Sequence, residues 1–105
     1  MGWKIIIAPS AQADLADIVR YVAQHNSDAA ARLGYELITR AENLASFPEI
    51  GRTVPEFQQS NLREVICRSY RIIYRLRRDE QRIDIVRFWH AARGFPRIPW
   101  SEVKK

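Results

Sequence analysis

Lysine is missing from the body of this sequence: none occurs between Lys4 and Lys104, so arginine carries almost all of the positive charge. Cysteine is nearly absent as well. The lone Cys67 cannot form an internal disulfide or a cysteine-based metal cluster, and inside an apolar stretch it reads as a small buried hydrophobe. Histidine occurs only at His25 and His90, too far apart to suggest a zinc site with one cysteine. Long hydrophobic runs are lacking too. Ile5-Ile6-Ile7-Ala8 stops at Pro9, too short for a signal-peptide core or a bilayer span. Met1-Gly2 is followed by Ile6 where a myristoylation signal has Ser or Thr. These absences predict a cytoplasmic protein with no membrane partner, cofactor, metal or small-molecule substrate.

What is present is a single domain over 1–105, with enough apolar residues (47%) to bury a continuous core without staples. The formal net charge of +5 is unevenly spread. Residues 1–50 sum to −2 and residues 51–105 to +7, so an acidic half joins a basic one. Such asymmetry points to an anionic partner, nucleic acid or acidic protein; the plainer alternative is a solvated face that keeps the chain soluble.

The organising stretch is LREVICRSYRIIYRLRRDEQRIDIVRFWH, residues 62–90. Leu62–Arg68, Tyr70–Arg77 and Arg82–Trp89 are rich in β-branched and aromatic residues alternating with polar ones. They predict an antiparallel meander with one face on a core and one face wet. Tyr70, Ile72, Tyr74 and Leu76 share a face that should pack inward; Arg71, Ile73, Arg75 and Arg77 share the face that should be wet. On the last strand the parity is ambiguous, leaving open whether Arg87 or His90 joins Arg71.

Upstream, Trp3–Ala8 reads as a strand covered on both faces, since both sides are largely apolar. Ser10 is the expected N-cap of a helix to about residue 25, with Asp14 and Asp17 complementing its dipole. Ser27 or Asp28 should cap a second helix reaching about Ser46. Its buried stripe is Ala30, Leu33, Leu37, Ala41 and Leu44, with Glu36 and Arg40 paired on the outside. The short break between them implies an antiparallel helical hairpin. Residues 48–61 read as an irregular loop, and the tail from His90 as irregular with one turn after Pro99. The predicted architecture is α+β, in the order β-α-α-β-β-β: a four-stranded, mainly antiparallel sheet packed on the helical hairpin.

This order resembles the RelE/ParE superfamily of toxins from type II toxin–antitoxin systems (the plasmid-stabilisation family), nearer its ParE-like members. Four blocks carry the likeness: residues 46–52 (SFPEIGR), 62–64 (LRE), 70–75 (YRIIYR) and 86–93 (VRFWHAAR). The resemblance implies a growth-arresting toxin neutralised by a cognate antitoxin. It leaves two mechanisms open: metal-independent cleavage of messenger RNA on the ribosome, or poisoning of DNA gyrase without catalytic side chains. The family's ribonucleases place an arginine at the position of Arg71, as a phosphate-stabilising group. Arg93 matches a further cation, but Ala91 occupies another, no tyrosine follows, and the lysines that precede the meander are absent. His90 is a candidate acid or base, with Glu49, Glu56 or Glu64 as a complementary carboxylate, unless it merely caps its strand. The candidate set is therefore Arg71, His90 and Arg93 for catalysis. Arg63, Arg71, Arg75, Arg87, His90, Arg93 and Arg97 form the set for binding a target or nucleic acid, and Lys104 and Lys105 complete a basic tail. The gyrase reading is preferred, with the ribonuclease and a non-toxic nucleic-acid-binding module as alternatives.

Overall fold

The alternation over residues 62–90 becomes the three strands it predicts, β3 (Leu62–Cys67), β4 (Tyr70–Arg77) and β5 (Arg82–His90), in a computed structural model that describes residues 2–99. Ahead of them lie β1 (Lys4–Ile7), α1 (Pro9–Ala23), α2 (Ser27–Glu42) and β2 (Arg52–Thr53). The sheet order is β1-β5-β4-β3-β2, with β1 parallel to β5 and every other pair antiparallel. The sheet therefore has five strands, not four. The extra strand is β2, two residues inside the expected loop, where no period can be read.

One face of the sheet carries the helices. Ala11, Leu37, Ala41 and Leu44 pack there against Val65, Ile72, Tyr74, Leu76, Ile83, Ile85 and Phe88. Each large apolar side chain buried this way contributes roughly 1.5–3 kcal/mol. The opposite face is not the bare wet surface expected. Val54, Leu62, Ile73, Val86, Trp89 and Ile98 form a second small core there, with Phe57 against it. The loop after β2 and the residues after Gly94 fold over this face, and Phe57 meets Phe95 edge-on at 5.3 Å.

Several local expectations are corrected. β1 is an edge strand with Lys4 and Ile6 exposed, because nothing pairs beyond it. Helix α1 begins at Pro9, whose fixed φ suits a first turn; Ala8 flanks it and Ser10 lies inside. Asn26, not Ser27 or Asp28, caps α2 by accepting the Ala29 amide at 3.0 Å. That helix ends at Glu42 and tightens into a 3-10 turn over Asn43–Ala45. Glu36 binds Arg68 at 2.8 Å instead of Arg40, since the first turn beyond β3 brings a cation closer. A further 3-10 turn, Ala91–Arg93, interrupts the start of the tail. The turn expected after Pro99 and the basic residues Lys104 and Lys105 lie outside the described residues. Among the described residues no helix is long and apolar enough to cross a membrane.

Beyond Ile7 the chain leaves β1, so the rest of the β5 edge has no strand beside it. Helix α1 takes over the bonding. The Ala8 amide donates to the Ile85 carbonyl at 2.9 Å. Ser10 Oγ donates to the Val86 carbonyl at 2.8 Å, and Asp14, one turn on, accepts the Phe88 amide at 3.0 Å.

Candidate functional site

The ambiguous parity of the last strand has a structural cause. Ile73 pairs with Arg87 while its neighbour Tyr74 pairs with Ile85, so Val86 is an extra residue in β5. The bulge resets the alternation. Ile83 and Ile85 face the helices before it, and Phe88 faces them after it. Arg71 sits opposite Trp89, and Tyr70 opposite His90. Arg87 therefore shares the outer face with Arg71, and His90 lies on the helix side.

Arg71 is 7% exposed and held by two carboxylates. Its Nε donates to Glu64 Oε1 at 2.6 Å, and its two terminal nitrogens form a bidentate pair with Glu56 at 2.7 and 3.0 Å. Buried Glu64 also accepts from Arg52 at 2.6 Å. Two carboxylates thus surround the guanidinium. The bonds to Glu56 and Glu64 outweigh the penalty of burial and push the Arg71 pKa further up. An arginine held this way has its charge answered by two carboxylates and three of its five N–H donors committed, which leaves it poorly placed to stabilise a phosphorane. The carboxylates considered as partners for His90 are accordingly placed elsewhere: Glu56 and Glu64 bind Arg71, and Glu49 lies 3.5 Å from Arg78.

Next to this network, the outer face centres on Trp89. Its indole Nε1 donates to the Gly94 carbonyl at 3.1 Å. The guanidinium of Arg93 lies 3.7 Å from the ring centroid and that of Arg87 4.7 Å from it. Arg87 also makes a bidentate pair with Asp14, at 2.6 and 2.8 Å, and donates to the Arg97 carbonyl at 2.7 Å. Arg63 is likewise committed, donating to the carbonyls of Ser60, Glu49 and Gly51. Arg93 and Arg97 are exposed. Arg75 is half-buried and makes no hydrogen bond or ion pair among the described residues. Burial is the first cause that disfavours its charged form, and the charge of Arg77 the second.

On the helix side, His90 Nδ1 accepts the Ala92 amide at 3.0 Å, which caps the 3-10 turn and leaves Nε2 as the other ring nitrogen. Its ring meets Tyr70 edge-on at 5.1 Å. His90, Tyr70, Tyr21, Asp17 and Arg93 line a shallow cleft of about 190 Å³ beside α1. The structure thus places His90 and Arg93 along one cleft and puts His90 on the face opposite Arg71, while the Arg93 guanidinium stacks on Trp89, the cross-strand neighbour of Arg71. Among the described residues no group of three metal-ligating side chains converges. The residues that sequence reasoning underrated are Asp14, Glu56, Glu64 and Trp89. The signal for Glu64 was available: it shares a strand face with apolar Leu62 and Ile66, where a carboxylate needs a cation beside it.

Glu56 gives a pH test. The hydrogen bond from Arg71 holds its carboxyl below the ordinary value of 4.5, and burial opposes this more weakly. A depressed folded value means its stabilisation is complete above that ordinary value and is lost as pH falls through the lower folded one. Wild type should therefore melt a few degrees above Glu56→Gln at neutral pH, and the two melting temperatures should converge as acid protonates Glu56. Parallel melting curves down to acid pH would show that the pair contributes nothing.

The family model described as the ParE toxin of the type II toxin–antitoxin system, parDE, matches residues 5–95. No curated protein matches the chain. The structure is similar to a chain of the chromosomal ParDE TA system from P. aeruginosa, with a TM-score of 0.69 and 18% identity. That match covers 84% of this chain and 95% of the other. It is also similar to a chain of the toxin–antitoxin complex RelBE2 from Mycobacterium tuberculosis, with a TM-score of 0.66 and 16% identity over 86% and 99% of the two chains. At such identities these likenesses speak for the fold.

Proposed function

Because the chain belongs to the ParE toxin family of type II toxin–antitoxin systems, we propose that it arrests growth by binding DNA gyrase and trapping a cleaved-DNA state, and that a cognate antitoxin neutralises it. The observation that carries the gyrase reading is the commitment of Arg71 to Glu64 and Glu56. A metal-independent ribonuclease needs a free cation near the scissile phosphate and an acid or base on the same side. Here the arginine is neutralised, and His90 is on the other face of the sheet. Exposed Arg93 and Arg97 are the contacts proposed for the target.

The antitoxin is proposed to dock where the sheet and helices leave an apolar margin. Strand β2 pairs only with Arg63 and Glu64 of β3, so the edge beyond them is open. Ile66 is 51% exposed there and Tyr35 of α2 is 76% exposed, flanking a groove with Arg40 on its rim. An acidic, extended segment suits both the open edge and the charge.

A ribonuclease remains the second reading, favoured by one observation: His90, Arg93 and Tyr70 line one cleft. One pair of assays separates the two. Purified protein with gyrase and supercoiled plasmid should accumulate protein-linked cleaved DNA, and Arg93→Ala/Arg97→Ala should lose it. The same preparation on ribosomes stalled at a defined codon should leave the message intact by primer extension. Codon-specific cuts that disappear with His90→Ala would replace the gyrase reading by the ribonuclease one.

A further inference from the structure

The strand arginines divide into those whose side chains are bound within the chain and one whose side chain is not. Arg71 is held by Glu64 and Glu56, Arg77 and Arg82 by Asp84, and Arg87 by Asp14. Arg63 is bound to three carbonyls. Arg75, on the outer face with Arg71, is half-buried, and its side chain makes neither a hydrogen bond nor an ion pair among the described residues. Its register partner Asp84 is 4% exposed and already bonded by Arg77 at 2.6 Å and Arg82 at 2.9 Å. Burial and the charges of Arg77 and Arg82 oppose the Arg75 cation, and the attraction of Asp84, shared with those two arginines, offsets this only in part, so a further anion would stabilise it.

Arg75 lines a pocket of about 260 Å³ at the hairpin end of β4 and β5, together with Asn61, Arg77, Arg78, Asp79 and Glu80. We propose that this pocket binds a nucleoside phosphate, with Arg75 taking the phosphate and Asn61 and Asp79 taking the polar edge of the sugar or base. The guanidinium fork matches phosphate oxygens bidentately. The rest of the lining selects among anions. Asp79 makes no ion pair among the described residues, and exposed Glu80 has only half-buried Arg82, which it shares with Asp84. Carboxylates beside a phosphate site repel a bare anion, but they accept from sugar hydroxyls and from amino groups of bases. An inorganic anion would occupy a small part of this volume and leave Asn61 and Asp79 unanswered. This site is separate from Arg93 and Arg97 and does not depend on which target the toxin attacks.

The test uses the full chain, titrated with 5′-AMP, 5′-GMP, adenosine and inorganic phosphate while the Asn61 side-chain amide and the backbone amides of residues 75–80 are followed by NMR. The nucleotides should shift these signals and bind at least about tenfold more tightly than phosphate or adenosine, a gap of about 1.4 kcal/mol. Arg75→Gln should remove about tenfold of that affinity without lowering the melting temperature, because it deletes a half-buried charge whose side chain makes no ion pair among the described residues. Arg32→Gln, on α2, should bind as wild type. A short RNA with a 5′-phosphate, compared with its unphosphorylated form, distinguishes a chain terminus from a free nucleotide as the source. The proposal is overturned if phosphate alone binds as well as the nucleotides. It is equally overturned if Arg75→Gln binds unchanged or melts well below wild type, which would make Arg75 a structural residue. Either failure leaves the gyrase assays untouched.

Discussion

Asp14→Ala should lower the stability of the fold by about 3–5 kcal/mol, the range for removing one member of a buried, hydrogen-bonded ion pair. Asp14 is 8% exposed and answers two needs at once. It accepts two bonds from Arg87 and one from the Phe88 amide. Alanine leaves that amide with no strand or carboxylate to receive it, on a β5 edge that β1 does not reach. It also frees a half-buried guanidinium that stacks on Trp89. For a chain of this size each kcal/mol moves the midpoint by about 4–8 °C, so thermal unfolding followed by circular dichroism should show a fall of more than 10 °C. Ser10→Ala, which removes one hydroxyl bond to the same edge, should cost only about 1 kcal/mol. Equal losses in the two variants would mean that Asp14 is an ordinary surface carboxylate.

Gly51→Ala should be nearly as damaging, by overpacking. A Cβ at this position would lie 2.5 Å from the Tyr74 hydroxyl and 2.6 Å from the Glu64 carbonyl oxygen. The Tyr74 hydroxyl is fixed, since it accepts the Gly51 amide and donates to the Pro48 carbonyl, both at 2.9 Å. Tyr74 itself is fully buried, so the ring has nowhere to retreat. The expected loss is about 3 kcal/mol, combining strain with displaced hydrogen bonds. Tyr74→Phe in the same chain should not restore stability, because the Glu64 carbonyl remains in the way. Gly94→Ala is the contrast: that residue has φ +89° and ψ −142° but open space around it, so only backbone strain of about 1–3 kcal/mol applies. If Gly51→Ala melted no lower than Gly94→Ala, the close approach at Tyr74 would not be a real constraint.

These two sites mark where the sequence could be read and where it could not. The meander was legible because each strand repeats its alternation over six or more residues, and the helices because Ala30, Leu37, Ala41 and Leu44 recur at helical spacing. Strand β2 was not legible, since two residues carry no period. The face of His90 was hidden by one extra residue, Val86, which reverses the parity halfway along β5. The candidate site suffered most. Reading arginines at alternate positions gives a basic face, but whether each charge is free depends on carboxylates far away in the chain. Asp14 lies 73 residues from Arg87, and Glu56 lies 15 from Arg71. No local spacing announces such pairs. What the pattern counted as one cationic surface is a set of neutralised arginines with a few exceptions, Arg75, Arg93 and Arg97 among them.

The pairing of β1 with β5 also fixes when the molecule can become itself during synthesis. The first strand and first helix leave the ribosome early, yet every strand-to-strand bond of β1 and the ion pair of Asp14 wait for residues 82–88. Until then α1 and α2 have no sheet to cover, while the meander, joined by short turns, can pair locally as soon as it emerges. A chain stopped before residue 82 lacks β5, the strand that joins β1 to the rest of the sheet and carries Arg82 and Arg87. The face that carries Arg71, Trp89 and Arg87 therefore appears only once β5 has been made, and a product truncated before it lacks that face.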